Sequence, residues 1–169
     1  MMSQQYRTIQ TPCIGTCSTI YGDAVCRGCN RFHHEVVNWN RYTVAQKDLV
    51  WRRLERVIHT VLANKVLIAD IDKLRTGLRT HTVRFNEQLD PMTWVYALLR
   101  TFAQTSVSLP NFGVHQRIAY QHLASADLFA STQDEIFVLS QAFYDQHIDR
   151  AFRHLDLAQH PVSTVKDTD

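Results

Sequence analysis

The stretch TPCIGTCSTIYGDAVCRGCNRF, residues 11–32, carries all four cysteines of the 169-residue chain and three of its five glycines, Gly15, Gly22 and Gly28. Cysteine, glycine and turn residues follow one another there without helical or strand periodicity, so the stretch reads as a pair of irregular loops. The thiols are spaced Cys13-x3-Cys17-x8-Cys26-x2-Cys29. Two close pairs on a short connector suit four thiolates converging on one tetrahedral metal. Gly15 and Gly28 lie inside the pairs, where a missing Cβ lets the backbone wrap tightly enough for its N–H groups to face sulfur. Four thiolates on a divalent ion leave a net charge of about −2, and Arg27 and Arg31 are placed to offset it. The expected ligands are therefore Cys13, Cys17, Cys26 and Cys29, holding either zinc or an iron–sulfur cluster.

Other uses of four cysteines fit less well. A radical-type C-x3-C-x2-C site needs cysteine at position 20, which is Ile20. The ferredoxin spacings are absent as well, although four cysteines still suffice for a cluster or a single iron. A thioredoxin-like reading of Cys26 and Cys29 wants a strand before the pair, and a glycine-containing loop precedes it instead. Residues 1–10 lack the apolar run of a secretory signal, and nowhere do 18 apolar residues follow one another. The expected location is cytoplasmic, without a membrane span, and in that reducing compartment clustered thiols favour metal or redox chemistry over disulfides.

Outward from the cysteines the chain becomes helical. Hydrophobic residues make up 45% of it, enough for a core, and the cysteine-free remainder holds few glycines and only Pro91, Pro110 and Pro161 as breakers. Glu35, Val36, Val37 and Trp39 suggest a short helix. Thr43 and Gln46 have capping-box spacing, and Val50, Leu54, Val57 and Val61 follow as the apolar stripe of a longer helix, with Arg52, Arg56 and His59 opposite. Past Ala63 the stripe becomes Leu67, Ile71, Leu74 and Leu78, displaced by roughly a quarter turn, which predicts a module boundary. A connector over 80–90 is expected to hold a short strand, Thr82 to Phe85. Asp90 and Pro91 then start a helix through Met92, Val95, Leu99 and Phe102. Pro110 and Gly113 separate it from a predicted helix near 114–130, and Ser131 to Asp134 separates that from a last one reaching about Gln159.

Net charge is +2, unevenly spread. Residues 1–84 carry thirteen Lys/Arg against six Asp/Glu, and residues 85–169 carry five against ten. A basic first half is compatible with nucleic acid, with the acidic second half, or with a protein partner.

The residues Thr11-Pro-Cys-Ile-Gly-Thr-Cys17, Val25-Cys-Arg-Gly-Cys-Asn-Arg31, Glu35, Trp39 and Val50-Trp51 closely resemble the YdhL-type predicted iron–sulfur proteins, a small bacterial family with a domain of unknown function. The resemblance spans about residues 12–56 and rests on Pro12, Cys13, Ile14, Gly15, Cys17, Cys26, Gly28, Cys29, Arg31, Glu35, Trp39, Val50 and Trp51. It implies a cysteine-held metal or iron–sulfur site with no established reaction. Thr16 alone separates Gly15 from Cys17, Phe32-His33-His34 departs from the usual small or apolar residues, and Gln46 stands where an acidic residue is common. His33 or His34 thus becomes an alternative fourth ligand, although four well-spaced cysteines make these histidines read as exposed polar residues. Trp39 and Trp51 read as a cover over the metal loops, and Glu35 as the partner of a nearby arginine.

Projected at 100° per residue, His115 and His122 fall on one apolar helix face and His147 and His154 on another. Facing pairs of this kind suit a second metal or haem, although core or half-exposed histidines explain them as well. No carboxylate shares those faces, which speaks against a di-iron site.

The expectation is thus a mainly α protein. It has a mobile arm over 1–11, a four-cysteine metal-binding module with two short helices over 12–62, a helical bundle extension over 63–160, and a tail over 161–169. Its expected function is that of a metal-binding protein whose bundle serves a protein partner or a homodimer. An iron–sulfur redox accessory and an Arg-rich nucleic-acid binder are the alternatives. No catalytic residue is nominated.

Overall fold

A computed structural model describes residues 11–151. The expected arm, apart from Thr11, the end of the expected last helix with His154, and the tail over 161–169 lie outside the described residues.

The fold is mainly α. Five α-helices occur among the described residues: α1 (His33–Val37), α2 (Val44–Ala63), α3 (Ile71–Thr80), α4 (Pro91–Thr101) and α5 (Ser125–Phe143). Two short strands, β1 (Val66–Ile68) and β2 (Val114–Gln116), pair antiparallel with Leu67 opposite His115.

Helix α2 starts where its sequence says it should. Thr43 Oγ1 accepts from Gln46 N at 3.3 Å, and Gln46 Oε1 accepts from Thr43 N at 2.9 Å, so two otherwise orphaned donors are satisfied. Its stripe divides between two cores. Val50 and Leu54 pack with Trp39 in a small cluster under the cysteine loops, flanked by Tyr42 and Trp51. Ile58, Val61 and Leu62 belong to the main core, with Leu74, Leu78, Val95, Leu98, Leu128 and Ile136. Helix α4 is opened by Asp90, whose Oδ1 accepts from Met92 N at 2.8 Å, with Pro91 in the first turn. It packs against α2 and α5.

Four sequence expectations fail for identifiable reasons. Leu67 lies in β1 and is exposed, and Ile71 only opens α3, so the displaced stripe is not one helix. Val66, Leu67 and Ile68 favour a strand, which their backbone completes with residues 114–116. The Thr82–Phe85 segment is not a strand. Thr82 takes φ 54° and Val83 N donates to Leu78 O at 2.9 Å, a left-handed helix ending with no strand beside it.

The helix expected near 114–130 is instead β2, a 3-10 turn over Ile118–Tyr120, and the start of α5. Gln116 Nε2 donates to the carbonyls of Tyr120 and Leu123, so a side chain closes this turn. The break expected at Ser131 to Asp134 is the middle of α5. Thr132 Oγ1 donates back to Leu128 O at 2.7 Å, and Ser131 Oγ accepts from the fully buried Lys65 Nζ at 2.7 Å. Each polar group is satisfied without leaving the helix. Lys65 also reaches Glu135 at 2.7 Å. Beyond α5 a single π turn covers Tyr144–Asp149.

Candidate metal centre

The first cysteine pair turns at Gly15, and the second sits on a turn closed by its own backbone. Gly15, at φ 88°, turns the first loop so that its N–H donates to Cys13 Sγ at 3.4 Å. Cys17 precedes a 3-10 turn over Ser18–Tyr21, and its sulfur lies 3.0 Å from Thr19 Oγ1. The second pair rides a knuckle. Cys26 N donates to Arg31 O and Asn30 N to Cys26 O, both at 2.8 Å, and an isolated bridge joins Val25 to Phe32.

The two loops interlock at Gly28. A Cβ there would lie 2.6 Å from Thr16 O and 3.1 Å from Ile14 Cγ1, so only glycine lets the first loop rest on the knuckle. Cys26 Sγ faces the same Thr16 carbonyl at 3.7 Å, and Arg27 N donates to Ser18 Oγ at 2.9 Å. Both pairs are thereby brought to one region of the molecule.

All four cysteines are free of disulfides. Cys26 and Cys29 are buried, Cys17 is half-buried and Cys13 exposed. Burial pushes the Cys26 thiol up, but backbone N–H groups of Cys29, Ser18 and Gly28 outweigh it and leave Cys26 below the ordinary thiol value. Cys29 is held above that value by burial, although Arg31 pulls the other way. Arg31 Nε donates to Cys29 Sγ at 3.3 Å, and its guanidinium lies 4.9 Å from the Trp39 ring centre. Of the two arginines expected beside the thiolates, Arg31 is therefore in place. Arg27 instead pairs with Asp23 at 3.1 Å and covers Phe137.

Below the knuckle, Glu35 and Arg53 fix α1 to α2. Their ion pair measures 2.5 Å, Glu35 Oε2 also accepts from Phe32 N at 2.9 Å, and Arg53 Nη1 donates to Asn30 O at 3.2 Å. The expected arginine partner of Glu35 is thus Arg53, eighteen positions away. Local spacing gave no reason to choose it over Arg31 or Arg52. Trp39 and Trp51 join the small core on this side, as the sequence suggested.

Among the described residues, no three His, Cys, Asp or Glu side chains come close enough together to hold one metal ion. The thiols fit the chemistry of a soft metal, being unpaired and met by N–H and guanidinium donors. The two pairs are adjacent rather than converged. His33 is exposed and His34 half-buried, and neither joins a ligand group. The two helix faces expected to carry histidine pairs do not occur among the described residues: His115 lies on β2, His122 in the turn before α5 and His147 in the π turn, all three exposed, and His154 lies outside the described residues.

Over residues 11–57 the chain matches the family described as "Protein of unknown function (DUF1289)". That span holds both cysteine loops, α1 and most of α2. No curated protein and no solved structure matches the chain significantly. No helix among the described residues is long and apolar enough to cross a membrane.

Proposed function

We propose that Cys13, Cys17, Cys26 and Cys29 form one four-thiolate metal centre, and that the chain is a metal-binding protein whose helical body presents that centre to a protein partner or to a second copy of itself. The observation that carries this reading is the interlock of the two loops at Gly28 and Thr16, which sets both cysteine pairs side by side. The centre would draw on a buried pair already supplied with N–H and guanidinium donors. Cys13 is exposed and Cys17 only half-buried, so neither of their sulfurs is locked by packing. A small module with a core of a few side chains gains stability from such a centre.

Zinc would act structurally there, whereas an iron–sulfur cluster, which the resemblance to YdhL-type proteins supports, would make the chain a redox accessory. The nucleic-acid reading is weaker, because much of the basic first half is engaged. Arg27, Arg52, Arg53, Arg75, Arg79 and Lys65 all pair with carboxylates.

Metal analysis and a visible spectrum of the full chain purified without oxygen test the proposal. One zinc per chain with no colour, or iron and sulfide with broad visible absorption, supports it, provided that Cys26→Ser and Cys29→Ser each lose the metal. Purified chain with four reactive thiols and no stoichiometric metal would overturn it.

A further inference from the structure

A cavity of about 370 Å³ lies between the cysteine loops and the helical body. Cys13, Cys29 and Asn30 line it on one side, and α2, the segment over 84–89 and α4 line it on the other. Three properties distinguish it from an imperfection of packing. Its size falls in the range of about 300–1,000 Å³ that small organic ligands occupy. Its lining is aromatic as well as aliphatic, through Trp51, Phe85 and Tyr96. It is also positive. Arg84 and Arg100 both line it and neither forms an ion pair among the described residues, while the single lining carboxylate, Glu55, accepts from Asp90 N at 2.8 Å.

The wall carries polar atoms that packing alone does not explain. Asn30 Oδ1, Tyr96 Oη and Asn86 Nδ2 are buried with no hydrogen-bond partner among the described residues. Asn30 and Tyr96 are only 2% and 6% exposed. They are near neighbours, close enough for the Asn30 amide to influence the Tyr96 hydroxyl. Burial holds the Tyr96 hydroxyl above its ordinary value, so it keeps its proton and remains a donor. Buried polar groups are nearly always satisfied in a finished structure. Asn30, Tyr96 and Asn86 thus bring donors and an acceptor to the wall, which a small shift would turn toward a ligand.

We propose that this cavity is a binding site for a small aromatic anion, its carboxylate or sulfonate held by Arg84 and Arg100 and its ring packed among Trp51, Phe85 and Tyr96. The planar guanidinium fork matches such an anionic group, and aromatic walls favour a flat ring over a flexible chain. The arginines and rings all come from outside the cysteine loops, so binding at the cavity and metal content are read separately. If those loops hold metal, the ligand lies against Cys29 and Cys13, next to the centre.

Fluorescence titration of the full chain with 8-anilinonaphthalene-1-sulfonate and with its uncharged counterpart, N-phenyl-1-naphthylamine, tests the proposal. The sulfonate is expected to saturate a single site about tenfold more tightly than the neutral probe. In the Arg84→Gln/Arg100→Gln variant the two affinities should come within about twofold, through loss on the sulfonate side alone. Ala97→Trp, which fills the cavity, should weaken both probes by about tenfold or more. Circular dichroism and metal content read on the same samples separate a lost site from a lost fold or a lost centre. If Ala97→Trp does not fold, the Arg84→Gln/Arg100→Gln variant, changed at one exposed and one half-buried position, decides the outcome by itself. Equal affinities in the unaltered chain, a charge preference that survives removal of both arginines, or absence of saturable binding would overturn the proposal.

Discussion

Arg53 and Glu35 form an ion pair of 2.5 Å in which the side chains are only 13% and 8% exposed. Neither charge has water enough to accept loss of the other. Arg53 also lies 3.8 Å from the Phe32 ring centre, so the pair ties the knuckle, α1 and α2 together. Glu35→Ala removes the partner of a buried guanidinium and the acceptor for Phe32 N in one step. It is expected to cost about 3 kcal/mol, read as a lower midpoint in urea. An unchanged midpoint would show that the pair is better hydrated than its burial implies.

Gly28→Ala places a methyl group against a backbone carbonyl that has nowhere to go. The expected loss is about 1–3 kcal/mol, with weaker metal retention if the centre is present. Gly15→Ala meets no atom within 4 Å and suffers only from φ 88°, so it should cost about 1 kcal/mol. Thermal unfolding of both variants checks the order, and a Gly15→Ala penalty larger than that of Gly28→Ala would contradict the interlock.

His34 gives the fold a pH dependence. Burial, the largest influence, holds its imidazole below the ordinary 6.5, with Glu35 opposing and Arg53 reinforcing the shift. The unfolded chain therefore takes up a proton at a pH where the folded chain does not. The stability that His34 contributes is complete above its ordinary value and is lost as pH falls from there toward the folded value. Urea midpoints between about pH 7 and about pH 5 should fall less steeply in His34→Gln than in the unaltered chain. Identical slopes would remove His34 from the account.

Lys65 is fully buried yet reaches Ser131 and the half-exposed Glu135, and its ammonium lies 5.4 Å from the Tyr120 ring centre. Glu135→Ala leaves the ammonium with the hydroxyl and the ring, and is expected to cost about 2 kcal/mol. Lys65→Met keeps the volume and frees Glu135 to water, so its cost should stay below about 1 kcal/mol. Guanidinium unfolding of the two variants decides; a larger loss in Lys65→Met would mean that the ammonium itself anchors α5.

The starts of α2 and α4 were legible in the sequence because they are local. Thr43 with Gln46, and Asp90 with Pro91, each hold within four residues the groups that satisfy a helix end. Val50 and Leu54 followed from helical spacing, and Trp39 and Trp51 read as a cover over the cysteine loops. The strand pair was not legible, because Val66–Ile68 acquires its meaning from residues 114–116, far along the chain. Ser131 and Thr132 looked like a break because their satisfying partners, Lys65 and the Leu128 carbonyl, are set by packing and by the helix itself. At the candidate centre, the four cysteines and Arg31 stood out by spacing. Arg84, Tyr96 and Arg100 carry no pattern at all, since only folding brings them to one cavity.

Helix α2 spends its first half in the small core and its second half in the main one. The family match ends at residue 57, where Val57 first touches the main core and just before Ile58, its first buried contact from α2. A chain cut at that point would keep both cysteine loops but lose the last third of the rod they stand on, and with it Ile58, Val61 and Leu62. In this protein the cysteine loops stand on a beam they share with the helical body, so neither core is complete without the same helix.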